Sequence, residues 1–214
     1  MRRRTRLIAI GILGAGAVLF GAAPAQALLL GSFSCITNNN AGDCAIGTSQ
    51  LSGDIAPVNS MLALLTITMT GLNAAVVEQV FIESSVVSGI SFTGSLANGT
   101  VAFTADGSPG NLPGGNTVNF VTAASASADP PPPFNGIGFH PTDPFSPQTG
   151  RFALALTGPL NPVNNLRVGV HVIGYTSGGS ESFVTRPIPE PGTLLLIGTG
   201  LVGLGAGARR RKKQ

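Results

Sequence analysis

At 214 residues, with 43% hydrophobic but only 10% charged side chains, the chain has ample material for a core and few groups that can move protons. The formal charge of +3 belongs to the two ends, since nine of the twelve cations lie in the first six or last six residues. Between residues 28 and 188 only Arg151, Arg167 and Arg186 face eight carboxylates, a net of −5, which excludes the cationic surface a phosphate backbone needs and hence nucleic acid as a partner.

The N-terminal MRRRTRLIAIGILGAGAVLFGAAPAQA places four arginines before an apolar run from Leu7 to Phe20, then Pro24 and small residues at Ala25 and Ala27. This pattern is a secretory signal with an A-x-A site cut by signal peptidase after Ala27, and its apolar run is short for a retained span. The chain therefore divides into a signal peptide (1–27), one extracytoplasmic domain (28–188) and a C-terminal segment (189–214).

Cys35 and Cys44 stand near the mature N-terminus in SCITNNNAGDCA. Export to an oxidising compartment and nine residues of separation around a flexible Asn- and Gly-containing turn predict a disulfide. Two thiolates without a nearby histidine supply only half a zinc site, so no metal or other cofactor is expected.

The domain's texture is β. In MLALLTITMT, Met61, Ala63, Leu65, Ile67 and Met69 alternate with Thr66, Thr68 and Thr70. The threonine row reads as the solvated side of a strand. RFALALT sets Phe152, Leu154 and Leu156 against Arg151, Ala153 and Ala155, and Leu166 to Val172 alternates likewise around Arg167, Gly169 and His171. Shorter strand candidates are Val86 to Thr93, Thr100 to Thr104, Thr117 to Thr122 and Ser182 to Thr185. AAVVEQVFIESS, from Ala74, fits neither the helical nor the strand period and reads as either. Seven or eight short strands and no long amphipathic helix predict an all-β fold, an antiparallel β-sandwich of jelly-roll or immunoglobulin-like type.

Seven prolines between Pro130 and Pro147 forbid a central strand there, and the interleaved Phe134, Phe139 and Phe145 are expected to cover an open end of the sandwich. Catalytic groups are sparse. His140 lies in this loop, three residues from Asp143, and His171 sits on the polar side of its strand. Glu78 and Glu83 share the ambiguous segment without a carboxylate opposite, and no G-x-S-x-G, H-E-x-x-H or P-loop pattern occurs. No catalytic residue is assigned, and a non-enzyme is expected.

The chain finishes PEPGTLLLIGTGLVGLGAGARRRKKQ. Thr193 to Ala208 would make about 24 Å of helix against roughly 30 Å of hydrocarbon, short but able to cross if flanking cations snorkel. Arg209, Arg210, Arg211, Lys212 and Lys213 (the basic tail 209–213) then fix that end in the cytoplasm. Outside the hydrocarbon, Pro189, Glu190 and Pro191, followed by Gly192, hold the backbone extended and without helix hydrogen bonds. This succession resembles the PEP-CTERM sorting signal of Gram-negative bacteria. The resemblance implies recognition and tail removal by exosortase, an integral-membrane, cysteine transpeptidase-like enzyme. It also implies passage from an inner-membrane-tethered precursor to the cell envelope or the exopolysaccharide matrix of a biofilm. It transfers no activity to residues 28–188. A non-catalytic structural or binding component is therefore expected there, with exopolysaccharide as a candidate ligand. A secreted glycan-active enzyme and a carbohydrate-binding adhesin are the alternatives.

Overall fold

The computed structural model describes residues 28–95, 102–105, 110–128, 136–140, 149–160 and 166–185. They form two antiparallel sheets that enclose one continuous apolar core. The first sheet has the order β1-β3-β4-β10-β6, with β1 Leu28–Leu29, β3 Leu51–Asn59, β4 Leu62–Met69, β6 Val87–Ser95 and β10 Thr149–Leu156. The second runs β2-β12-β11-β5-β8-β7, with β2 Phe33–Cys35, β5 Ala75–Glu83, β7 Phe103–Ala105, β8 Ala124–Ala128, β11 Arg167–Ile173 and β12 Glu181–Thr185. The short β9, Ile137–Phe139, pairs with β5 beyond the end of β8.

In the first sheet β4 and β10 follow the strict period of two. In β4 the side chains of Ala63, Leu65, Ile67 and Met69 are buried while those between them are half-exposed, and in β10 Gly150, Phe152, Leu154 and Leu156 are buried in the same way. Met61 departs from the expected face because it belongs to the turn before β4, where it is exposed. Between the sheets Phe92, Phe103 and Phe152 meet with ring centroids 5.1 to 5.4 Å apart, Phe103 standing edge-on to Phe152.

AAVVEQVFIESS proves to be a strand whose period is broken by a bulge. His171 pairs with Gln79 but the next residue, Val172, pairs with Val77, so Glu78 is the extra residue. The core side of β5 therefore switches from Ala75 and Val77 to Val80 and Ile82, odd positions to even ones. Its other face is covered too. Phe81 packs with Leu112, Phe120 and Val184 in a second apolar cluster, and a Cβ on Gly169 would lie 2.7 Å from a Leu112 methyl. Burial on both faces is why the segment is almost continuously apolar.

Three local expectations are corrected. Thr117 to Thr122 is no strand, because Gly115–Val118 forms a 3-10 turn ended by Asn119 at φ 51°, with Gly114 at φ 72° before it. The stretch between the cysteines is not a flexible turn: Ala41–Gln50 is a helix, α1, whose N-cap Asn40 accepts the Gly42 and Asp43 amides on its side-chain oxygen. The strands number twelve among the described residues rather than seven or eight, since β1, β2, β3, β8 and β9 had not been anticipated. Within the proline loop, Ile137 is fully buried and Phe139 half-buried beside β5, while Phe134 and Phe145 lie outside the described residues.

Candidate functional site: the last strand and the segment that follows it

The last strand, β12, is buried at all five positions and lies between β2 on one side and β11 on the other. Its first residue, Glu181, is a carboxylate wholly excluded from solvent. One oxygen accepts the backbone N–H of Asn40 at 2.5 Å; the other accepts the Asn39 N–H at 3.1 Å and the Thr37 hydroxyl at 2.5 Å. Thr37 in turn accepts the Ser182 N–H at 2.9 Å. Glu181 thus gathers the donors in front of α1, where the positive end of the helix dipole also favours an anion. No salt-bridge cation accompanies it among the described residues.

Beside this carboxylate, Cys35 of β2 and Cys44 of α1 form the expected disulfide, with 5.5 Å between their Cα atoms. The Cys35 sulfur lies 3.6 Å from the Glu181 carboxylate. The ligand-capable atoms of Cys35, Cys44 and Glu181 lie within 4.8 Å of one another, but both sulfurs are committed to each other and both oxygens to donors. Loss of the cross-link by replacing both Cys35 and Cys44 with serine should destabilise the domain by about 2–3 kcal/mol, the loop-entropy value for so short a loop. Denaturant unfolding of the double variant against the parent measures it, and alkylation should find no free thiol in the unreduced parent.

Among the described residues, His171, Glu83 and Glu78 do not converge on one site, and Asp143 lies outside them. His171 accepts or donates a hydrogen bond to Ser182 across the β11–β12 ladder, Nδ1 to Oγ 3.1 Å, but Ser182 is completely buried and offers no approach to a substrate. Glu83 is paired with Arg167, whose remaining guanidinium nitrogens donate to the Val118 and Asn119 carbonyls. Glu78 stands alone on its bulge, its carboxyl raised by burial. Tyr175, buried near α1, has its phenol pushed well above the usual range by burial and then by the charges of Asp43 and Glu181. His140 follows β9 on the rim of the second sheet.

His171 is less solvated than its place on the strand suggested. Burial lowers its imidazole below the ordinary value of 6.5, and the charge of Glu181 offsets only part of this. The unfolded chain then takes up the proton first as pH falls through about 6.5, so stability is full above that value and declines below it, levelling off once the folded imidazole is also protonated. His171→Asn should flatten this acid limb in denaturant midpoints collected from pH 7.5 to 5; an unchanged slope would assign the acid loss elsewhere.

Thr185 ends β12, and the residues named in the sorting segment follow almost at once. Pro189, Glu190, Pro191, Gly192, the apolar stretch 193–208 and the cations Arg209 to Lys213 lie outside the described residues, as do Ala25 and Ala27. Among the described residues no helix is long and apolar enough to cross a membrane. No curated protein and no solved structure is detectably similar to the chain. The family pattern described as the PEP-CTERM protein-sorting motif, however, matches residues 187–212, beginning two positions after β12. The β-rich domain is thus followed, with a single intervening residue, Arg186, by a PEP-CTERM sorting motif, and the chain carries the signal of a PEP-CTERM protein.

Proposed function

We propose that the protein is a non-catalytic component of the cell envelope or extracellular matrix, exported by residues 1–27 and delivered through its C-terminal signal. The sorting motif itself implies export and exosortase as the processing partner. In this reading residues 193–208 hold the precursor in the inner membrane, the cations at 209–213 stay in the cytoplasm, and tail removal releases the β-sandwich. The observation that carries the reading is the match over residues 187–212, which includes every feature of the segment from Pro189 to Lys212 in order.

A structural or binding role for the domain is supported by the separation of His171, Glu83 and Glu78 among the described residues and by the burial of Ser182, the serine that His171 contacts. The test is the mass of the mature protein in its host with and without exosortase. The tail should be lost only where the enzyme is present, and equal masses in the two strains would reduce residues 189–214 to a plain anchor. Glycan-array binding by the released protein would separate a carbohydrate-binding adhesin from a passive matrix protein.

A further inference from the structure

The end of the sandwich from which Thr185 departs carries three of the four exposed large hydrophobic side chains among the described residues. The β3–β4 turn lies there, because the Leu156 amide at the end of β10 donates to the Met61 carbonyl. The β5–β6 turn joins it, since the Thr157 amide donates to the Val86 carbonyl. The loop before β8 comes to the same end, where the Ala123 amide donates to the carbonyl of Ile82, one residue before Glu83 ends β5. In register with these, Thr185 stands beside the start of β11, its hydroxyl accepting the Val168 amide.

Four large hydrophobic side chains are exposed among the described residues, and three of them crowd this end: Val58 at 52%, Met61 at 63% and Val121 at 71%. The fourth, Leu72, 82% exposed, occupies the β4–β5 turn at the opposite end. Around the corner from Met61, the outer face of the first sheet continues the apolar surface as a shallow cavity of about 280 Å³ lined by Leu62, Gly89, Ala153 and Ala155. The charged residues described at this end are Glu83 and Arg167, and they are paired, with the guanidinium also 5.4 Å from the Phe120 ring centre.

We infer that this end of the domain docks on the outer lipid surface of the membrane while the precursor is tethered, resting on the proposed anchoring of residues 193–208. The length of chain beyond β12 keeps this end of the domain close to the bilayer. Four residues lead from Thr185 to Pro189 and eight to Thr193, so the domain's end lies at most about 14 Å from the sorting motif and about 28 Å from the start of the apolar stretch. One headgroup layer takes about 5–8 Å of that distance, so at most roughly 20 Å of chain separates the domain's end from the lipid surface. Three aliphatic side chains would hold a free domain at a bilayer only feebly, but a tether this short raises the effective concentration to about the millimolar range, where a weak contact suffices. Glu83 and Arg167 neutralise each other, so the described part of this contact suits a zwitterionic interface and depends little on salt. Side chains spread over several turns, and not lining one deep pocket, suit a flat lipid surface better than a protein partner.

The test uses the full chain in phosphatidylcholine nanodiscs, carrying one nitroxide at a time through Met61→Cys, Val121→Cys, Leu72→Cys or Leu201→Cys. The first three positions are exposed, so the label displaces no packing. Labels at 61 and 121 should collide with oxygen in preference to a water-soluble nickel chelate several-fold more than the label at 72, in low and high salt alike. Equal behaviour at 61, 121 and 72 with the label at 201 in hydrocarbon would overturn the docking and leave the tether standing. A label at 201 in water would overturn both. Protection of 61 and 121 only after exosortase is added would assign the surface to the enzyme and overturn the lipid contact.

Discussion

Glu190→Ala should leave the protein at full length and in the membrane, in a host where the parent loses about 2–3 kDa at the ~110 Da per residue of ordinary composition. If residues 189–214 were only an anchor, this substitution would change nothing, because an anchor needs the apolar run and the cations and Glu190 belongs to neither. A processing enzyme must instead read the residues at the cleavage region directly. Pro189 and Pro191 fix the backbone around Glu190, so the carboxylate is presented with little conformational entropy left to lose on binding. The expected change is all-or-none, read by mass spectrometry of mature protein. Glu190→Gln separates charge from shape, and normal processing of the alanine variant would show that the motif is not read at this residue.

The largest effect within the domain is expected at Glu181. Truncation to alanine would leave the amides of Asn39 and Asn40 and the hydroxyl of Thr37 without their shared acceptor, and would open a cavity beside the disulfide. Each buried donor left unsatisfied costs about 1–3 kcal/mol, and because the three are coupled the sum should come to about 3–5 kcal/mol. Glu181→Gln keeps the volume but turns one acceptor into a donor facing another donor, and should recover only part of the loss. Denaturant midpoints of the two variants against the parent decide this, and a change below about 1 kcal/mol in Glu181→Ala would mean that water replaces the carboxylate at no penalty.

What was legible in the sequence was whatever depended on neighbours along the chain. β4 and β10 bury one face each, so alternation alone located them and named their core residues. Cys35 and Cys44 were near enough in sequence for export to predict their bond. The C-terminal motif is contiguous, and its residues were recognisable in order. β5 was illegible because a bulge shifts its parity and a loop nearly thirty residues away along the chain covers its other face. Glu181 was missed for a similar reason: its partners lie 141 to 144 residues earlier, and a carboxylate opening the short mixed strand ESFVT has no pattern of its own. α1 hid behind its composition, since three asparagines and two glycines suggest a turn until Asn40 is seen as a cap.

The position of β12 between β2 and β11 also bears on timing during export. A chain delivered N-terminus first offers Phe33–Cys35 early and Arg167–Ile173 late, yet the strand that joins them comes last of all. Until Thr185 has crossed, the second sheet has a slot where two ladders of backbone donors and acceptors stand open, a hazard for pairing with other chains. Closing that slot requires contacts between residues some 150 positions apart, the kind that form slowly. A single residue then separates the completed sheet from the start of the sorting motif. On the proposed export route, the second sheet can therefore be completed only once nearly the whole chain ahead of the sorting motif has emerged.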